Sequence, residues 1–316
     1  MKFHLNYTPE KFGFEIEHSE PCFLIGSCFA ENMAQKLQEH LFPVHLSPNG
    51  ILFNPESILQ SLKAITGNSA FDESLVIERD GLWYSFLHHS SVHASGKKAL
   101  LEKIHTTQQE AHDFLKTTKY LIITFGTAFV YEHKTLQRVV SNCHKQPGNL
   151  FEKKFLEPDV IVEAYQSLIQ KLKAFNPDLN IIFTVSPVKY LKDGLENNSR
   201  SKASLLLTVH RLVKTNENVH YFPAFELQTD DLRDYRFYKE DLAHPNAQAI
   251  DYIWQKFSES AFSEKTLQLN LEISKLNAAL HHRKQSPSVE GDKKLQSYIE
   301  QQKEKIKASA PGLLFT

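Results

Sequence analysis

Short apolar runs alternate with amphipathic helical segments along most of the chain, and this alternation is the feature that most constrains the fold. The apolar runs are PCFLIG at 21–26, YLIITFG at 120–126, NIIFTVSPV at 180–188 and NVHYFPAF at 218–225. Segments with helical periodicity follow them at 30–41, 158–175, 201–215 and 245–260. Strands that alternate with helices form parallel sheets covered on both faces. The pattern therefore predicts an α/β fold.

Composition and charge indicate which binding partners and which cellular compartment to expect. The chain has 316 residues, is 41% apolar and 23% charged, and carries a formal net charge of −1. It has no basic excess, so we expect neither nucleic acid nor an anionic membrane surface as the main partner. The N-terminus lacks the apolar region of a signal peptide, and the longest apolar stretch, at 120–131, is too short to span a bilayer.

The cysteine spacing predicts free thiols. Cys22 and Cys28 lie on or beside one predicted strand, which would separate them by roughly 20 Å at about 3.3 Å per residue. A disulfide needs Cα atoms within roughly 7 Å. A cytoplasmic protein with free thiols is the simplest interpretation.

The pattern divides the chain into two regions. Residues 1–261 contain the strand and helix pattern and are predicted to form the main domain, with an insertion at about 67–105 that includes a hairpin at Asp80-Gly81. A polar loop is expected between the run at 120–126 and the helix at 158–175. Residues 262–316 are helical and polar, and they could form an appendage, a dimerisation hairpin or a clamp on the main domain.

The turn GSC at 26–28 is the first candidate for chemistry. Ligands bind at the carboxyl ends of strands in parallel sheets, and Gly26 allows a sharp turn there into a helix. The helix N-terminus would lower the pKa of a thiol at Cys28 and stabilise an oxyanion, while Glu31 would partly offset this effect. The alternatives are a helix-capping role for Ser27 and a buried structural role for Cys28.

A second candidate lies near the end of the main domain. Asp241 and His244 are three residues apart in a loop just before a well-patterned helix. A histidine with a carboxylate within reach of its ring is the base and orienting group of a catalytic triad, although His244 could also have a structural role. His88, His89 and His93 do not form a recognisable ligand set, so we expect no metal and no cofactor.

These segments together resemble a known family. The sequence GSCFA at 26–30 resembles the signature of the GSCFA family, whose members are similar to the SGNH/GDSL hydrolases. Matching segments extend over roughly 26–260, and they are NGILFNP at 49–55, TFGTAFVY at 124–131, NCHKQP at 142–147, SPV at 186–188 and DLAHPN at 241–246. The resemblance implies a flavodoxin-like three-layer α/β/α sandwich and ester hydrolysis or acyl transfer.

The resemblance also implies roles for the catalytic residues. Asp241 and His244 match the late Asp-x-x-His motif, with His244 as general base. The SGNH motif is Gly-Asp-Ser, so aligning Gly26 with its glycine places Ser27 at the aspartate and Cys28 at the nucleophile. A cysteine thiolate paired with histidine is a competent nucleophile. Ser27 remains the alternative nucleophile.

The implied oxyanion site departs from the SGNH pattern at one position. Gly50 matches the glycine whose backbone N–H helps to form the oxyanion hole, and Gly126 matches the glycine of the Gly-x-Asn block. Ala128 stands where that block has asparagine. Asn142 or Asn49 could supply the missing side-chain donor. His144, beside Asn142, is a further candidate for lining the site.

We therefore expect an enzyme that hydrolyses a small-molecule or carbohydrate ester. One alternative is acyl transfer to a sugar or other hydroxyl acceptor, because a cysteine acyl-enzyme can be intercepted. The other is a non-catalytic ligand-binding protein of the same fold, which the substitution at Ala128 favours. The C-terminal helices offer a surface for oligomer formation.

Overall fold

The predicted alternation of strands and helices is present in a computed structural model that describes residues 5–281, 289–310 and 313. The strands are β1 (Cys22–Gly26), β2 (Val44–Leu46), β3 (Val76–Arg79), β4 (Leu82–Ser85), β5 (Tyr120–Phe125), β6 (Phe129–His133), β7 (Arg138–Val140), β8 (Phe151–Phe155), β9 (Asn180–Val185) and β10 (Val219–Phe222). The helices are α1 (Cys28–Glu39), α2 (Pro55–Gly67), α3 (Lys97–Thr117), α4 (Pro158–Phe175), α5 (Leu195–Thr215), α6 (Ala224–Glu226), α7 (Ala247–Ala261), α8 (Glu264–Leu280) and α9 (Val289–Ser309).

Five parallel strands form the central sheet in the order β2-β1-β5-β9-β10. Without the strands inserted between them, this is the flavodoxin-like order 2-1-3-4-5. The order reverses between β1 and β5, whose last paired residues are Gly26 and Thr124. Ligands bind at such a switch point, outside the carboxyl ends of the strands. The topology thus places the turn at 26–28 where a site is expected.

Alternate residues of the strands enter two separate cores. Phe23 and Ile25 belong to a core shared with α2, α3, α4 and α5 on one face of the sheet. Cys22 and Leu24 belong to the core shared with α1 and α7 on the other face. This period of two places every central strand between two helical layers. The predicted three-layer α/β/α architecture is confirmed.

The inserted segments contain more regular structure than the sequence pattern predicted. The hairpin β3–β4 turns at Asp80 and Gly81, with φ of 53° and 75°, the two positive values that a type I′ turn requires. The expectation of a polar loop before α4 was wrong, because β7, β6 and β8 form an antiparallel sheet there. Val140 and Phe151 are buried in a small cluster with Phe86, and this packing stabilises strands with otherwise polar sequences.

The C-terminal helices α8 and α9 pack against each other and against the far end of α1. Their shared core contains five buried aliphatic residues, namely Leu269, Ile273, Leu276, Ile299 and Ile306. Asn277 Nδ2 donates to Glu39 O at 2.6 Å, and His40 Nε2 lies 3.1 Å from Ser274 Oγ. The described part of this region is therefore a clamp on the main domain.

No helix in the described ranges combines the length and apolarity needed to cross a membrane.

Candidate active site

The turn from β1 into α1 requires glycine and a capping serine. Gly26 has a φ of +139°, and a Cβ there would lie 2.2 Å from Thr124 O on β5. The backbone N–H of Ser27 donates to the same carbonyl at 3.1 Å. The Ser27 side chain is 1% exposed, and its hydroxyl accepts from Phe29 N–H at 3.4 Å. Ser27 thus caps α1 and is buried beneath the turn.

Cys28 is the first residue of α1 and is partly exposed. Its backbone N–H lies at the helix end, where N–H groups have no intrahelical acceptor. Burial raises the pKa of the thiol, and the Glu31 carboxylate raises this pKa further. The backbone N–H of Cys28 and the ammonium groups of Lys202 and Lys239 lower the same pKa. Burial and the Glu31 carboxylate outweigh these groups, so the pKa of Cys28 is raised overall, and the lowered pKa expected from the helix N-terminus is not found.

The Asp241–His244 pair is held in one geometry by its own loop. Asp241 Oδ2 lies 2.6 Å from His244 Nδ1, while Oδ1 accepts the backbone N–H groups of Ala243 and His244, each at 2.9 Å. These hydrogen bonds, first those from the backbone, lower the pKa of Asp241 to about 2. The carboxylate fixes the ring, and Nε2 forms no hydrogen bond with any described residue.

Lys239 connects the histidine loop with the surroundings of Cys28. Its backbone N–H donates to His244 O at 2.7 Å, and its ammonium is one of the charges that lower the pKa of Cys28. Within the described residues, Cys28 Sγ and the His244 ring are not hydrogen-bonded to each other. Catalytic hydrogen bonds are often long without substrate and shorten in the complex.

Gly50 and Asn49, both predicted oxyanion residues, have hydrogen-bond partners already. Gly50 has a φ of +70° and its N–H donates to Ser47 O at 3.1 Å. The buried Asn49 side chain accepts from Ser61 Oγ at 2.6 Å and donates to Leu87 O at 3.0 Å. Through these hydrogen bonds, both residues stabilise the loop after β2.

Gly126 and Ala128 form the turn after β5. The Gly126 N–H donates to Phe53 O at 2.8 Å, and a Cβ at Gly126 would lie 2.8 Å from that oxygen and 3.3 Å from Ser27 Cβ. Ala128 is buried, and its N–H donates to Ser201 Oγ at 2.7 Å. The close packing of this turn on Phe53 and Ser27 explains why glycine is needed at 126.

A cavity of about 330 Å³ opens beside this turn. Its walls combine aromatic rings with polar groups, and the lining includes Phe53, Thr127, Phe129, Asn142, Cys143 and Tyr190. Asn142 Oδ1 accepts the backbone N–H of His144 at 2.8 Å, whereas its Nδ2 has no partner among the described residues. The structure therefore places Asn142 on the cavity wall.

His144 does not line this cavity. Its Nε2 lies 2.7 Å from Ser85 O, its ring packs on Tyr84, and burial lowers its pKa. The three other histidines considered above also have local partners: His88 contacts Ser85 Oγ, His89 contacts Ser91 Oγ, and His93 contacts Ser90 O. In residues 5–281, 289–310 and 313, no three His, Cys, Asp or Glu side chains cluster as metal ligands would.

Two residues near Cys28 were not identified from the sequence. The Tyr190 hydroxyl is buried, has no hydrogen-bond partner among the described residues and lines the cavity. Burial and then the Cys28 thiolate raise the Tyr190 pKa. Lys202 is 2% exposed on α5. The sequence does indicate a buried position for Lys202, because it lies at helical spacing from Leu205, Val209 and Leu212, which share the buried face of α5.

Comparisons with known proteins identify a family and distant structural similarities. The sequence profile of the GSCFA family matches residues 21–257. Among the curated proteins, none matches this sequence.

Three solved structures illustrate these distant similarities. One, described as a platelet activating factor from Streptococcus pneumonia, is 11% identical with a TM-score of 0.41 over 78% of this chain and 86% of that chain. A carbohydrate esterase family 3 protein from Talaromyces cellulolyticus is 11% identical. It has a TM-score of 0.37 over 80% of this chain and 99% of that chain. A family two carbohydrate esterase from Clostridium thermocellum, in complex with cellohexaose, is 12% identical. It has a TM-score of 0.34 over 84% of this chain and 66% of that chain.

Proposed function

The chain belongs to the GSCFA family, and on this basis we propose that it cleaves an ester by acyl transfer to Cys28, with His244 and Asp241 as base and orienting group. The observation that carries the proposal is the Asp241–His244 pair. Its 2.6 Å contact at Nδ1 leaves Nε2 free, in a loop linked through Lys239 to the surroundings of Cys28. A histidine positioned by a carboxylate, together with a thiol that it can deprotonate once substrate is bound, forms the machinery of nucleophilic catalysis.

Burial and hydrogen bonding favour Cys28 over Ser27 as the nucleophile. The Ser27 hydroxyl accepts a helix N–H and is 1% exposed, so its attack on a substrate would require the cap to break. Cys28 is partly exposed at the helix N-terminus. That position stabilises negative charge on sulfur and on a nearby oxyanion.

The reaction would proceed in two acyl-transfer steps. His244 Nε2 accepts the proton of Cys28 Sγ while sulfur attacks the carbonyl carbon, and the carbonyl electron pair moves to oxygen. Collapse of this tetrahedral intermediate releases the alcohol, which takes the proton from His244. Water, or an acceptor hydroxyl, then attacks the thioester and gives its proton to His244. The second tetrahedral intermediate collapses with cleavage of the C–S bond, which releases the acid or the new ester, and the Cys28 sulfur takes the proton back from His244. The Asp241 carboxylate stays ionised throughout and stabilises the imidazolium.

The oxyanion would be held by the Cys28 backbone N–H and a side-chain donor. Ala128 has no such donor, whereas Asn142 Nδ2 and the Tyr190 hydroxyl are unpaired groups on the cavity wall. Gly50 would contribute only if its N–H left Ser47 O. A preorganised donor of this kind is worth about 10²- to 10³-fold in turnover.

The cavity, whose lining does not include Cys28 or His244, would hold the alcohol portion of a small polar substrate. Its volume of about 330 Å³ is at the lower end for ligand sites. The Phe53 and Tyr190 rings lie 5.6 Å apart in an edge-to-face arrangement, and Asn142 supplies an amide beside them. Rings and amides together suit a sugar ester, which presents both C–H faces and hydroxyl groups.

The test is the hydrolysis of p-nitrophenyl acetate by His244→Ala. We expect turnover to fall by about 10³-fold or more, because the general base is lost. His105→Ala, which removes an exposed histidine of α3, is the control and should retain wild-type turnover. Full activity of folded His244→Ala would contradict the mechanism. Adding sugar acceptors and measuring the ratio of transfer to hydrolysis distinguishes an acyltransferase from an esterase.

A further inference from the structure

The histidine loop, residues 235–246, is attached to the segment that follows β9. The backbone N–H of Lys189 donates to Ala243 O at 3.1 Å, beside the proposed base. The Lys189 ammonium also lies over two rings of the same loop. Its Nζ is 4.4 Å from the centroid of the Tyr235 ring and 3.9 Å from that of the Tyr238 ring. Lys189 therefore contacts the histidine loop through both its backbone and its side chain.

The two tyrosine rings are the partners of the Lys189 charge. Their centroids lie 5.7 Å apart, and both are within the roughly 6 Å over which a ring face attracts a cation. No carboxylate forms an ion pair with Nζ in the part of the chain that the structure describes. Tyr238 is 9% exposed, whereas Tyr235 is 60% exposed. The contact thus joins the end of β9 to one buried and one exposed ring of the loop.

Hydrogen bonds within the loop determine its shape rather than its place in the fold. The backbone N–H of Lys239 donates to His244 O at 2.7 Å. Asp241 Oδ1 accepts the backbone N–H groups of Ala243 and His244. These bonds join residues of one short stretch, so they hold the imidazole beside its carboxylate wherever the loop lies. The contacts with Lys189 connect that stretch to the carboxyl end of the sheet.

The residue after Lys189 belongs to the cavity wall. The Tyr190 ring packs against Phe53, with the centroids 5.6 Å apart, and its backbone N–H donates to Asn198 Oδ1 at 2.9 Å. Adjacent residues of one segment thus contact the histidine loop and the cavity. Loss of the first contact would let the distance between His244 and the cavity vary.

We propose that Lys189 is a positioning residue that holds the histidine loop, and with it His244, at a fixed distance from the substrate cavity. The inference rests on the proposed function of His244 as general base. Lys189 acts through the two tyrosine rings and not on the reacting atoms. A displacement of about 1 Å can lower turnover by about 10²-fold. The contact should therefore affect kcat, whereas KM depends on the cavity wall.

The test compares kcat and KM for p-nitrophenyl acetate in Lys189→Met and Lys189→Arg. Methionine lacks the charge, so we expect kcat to fall by about 10- to 100-fold with little change in KM. Arginine also binds over aromatic rings and should restore kcat to near the wild-type value. The matched control is Lys256→Met, which removes an ammonium 5.5 Å from the Tyr252 ring and should leave kcat unchanged.

Amide hydrogen exchange measures the contact without turnover. The backbone N–H groups of residues 239–244 should exchange faster in Lys189→Met than in the wild-type protein, because the loop opens more readily. Lys256→Met should exchange at the wild-type rate in this loop. Unaltered exchange in folded Lys189→Met would overturn the inference.

Tyr235→Leu provides a second variant, since its exposed position makes it tolerant of substitution. It removes one of the two rings and should also lower kcat. The double variant Lys189→Met/Tyr235→Leu should be no slower than Lys189→Met alone, because both substitutions remove the same contact. If Lys189→Met does not fold, wild-type kcat in Tyr235→Leu overturns the inference.

The inference and the proposed function fail in different ways. Wild-type kcat in folded Lys189→Met, or a kcat as low in Lys189→Arg as in Lys189→Met, would overturn the inference alone. The proposed function would then remain, provided that His244→Ala is inactive. Full turnover of folded His244→Ala would contradict the proposed function, and the inference with it, whatever the exchange rates.

Discussion

At the scale of single residues, neighbouring Ser27 and Cys28 differ because a helix begins between them. Ser27 is the N-cap of α1 and directs its hydroxyl to a helix N–H, whereas Cys28 is the first helical residue and remains partly exposed. Two adjacent nucleophiles thus have separate environments. The consequence is that stability and activity should respond to different substitutions.

We expect Ser27→Ala to lower the free energy of unfolding by about 1 kcal/mol, because a capping hydrogen bond is lost, and to retain ester hydrolysis. Cys28→Ala should abolish hydrolysis with little change in stability. Urea unfolding followed by circular dichroism and p-nitrophenyl acetate turnover measure the two properties. If Ser27→Ala were inactive while folded, Ser27 would replace Cys28 as the proposed nucleophile.

At the scale of elements, the site depends on how closely β1 and β5 approach each other at their ends. Gly26 lies against Thr124 O, and Gly126 lies against Phe53 O and Ser27 Cβ. Any side chain at these two positions would separate the turns that carry the proposed nucleophile and the cavity wall. The geometry of the candidate site therefore depends on the close packing of the turns that follow β1 and β5.

Gly26→Ala should destabilise the fold by roughly 4 kcal/mol or more, because a backbone carbonyl cannot move away from a Cβ at 2.2 Å and the φ of +139° is strained for alanine. Gly67→Ala is the matched control. Gly67 ends α2 with no atom within 4 Å of an added Cβ, so we expect a change of less than about 1 kcal/mol. Equal effects in thermal unfolding would refute this explanation.

At the scale of the whole molecule, the C-terminal helices stabilise the domain from the side away from the site. They contact Glu39 and His40 at the end of α1. Since α1 has 12 residues, this end lies about 17 Å from Cys28 at about 1.5 Å per residue. The helices should influence stability without influencing chemistry.

The double variant Ser274→Ala/Asn277→Ala should lower the Tm by about 3 °C, since two hydrogen bonds to the main domain, worth about 1 kcal/mol each, are lost from a chain of 316 residues. Turnover measured well below the Tm should be unchanged. Lys303→Ala/Lys307→Ala, which removes only ion pairs within α9, should leave the Tm nearly unchanged. A tenfold loss of turnover in the first variant would mean that the clamp reaches the site.

The sequence by itself determined the layers of the fold and the local chemical pairs. Period-two and helical patterns specify buried strands and amphipathic helices. Asp241 and His244 lie close together because only two residues separate them. The antiparallel strands β6, β7 and β8 escaped prediction, because their few apolar residues, such as Val140 and Phe151, become buried only through contacts with Phe86 and with Ile77 of the hairpin β3–β4. Local patterns carry no information about such distant packing.

Only the tertiary structure decided which groups surround Cys28. Lys202 and Tyr190 are more than 150 residues away in the sequence, and the strand order places the end of β5 next to β1 and the end of β9 next to β5, at the same edge of the sheet. It also showed that Asn49 and His144 have other partners, whereas Asn142 lines the cavity. Burial, hydrogen-bond satisfaction and charge coupling depend on distances across the folded chain, so residue spacing alone cannot specify them.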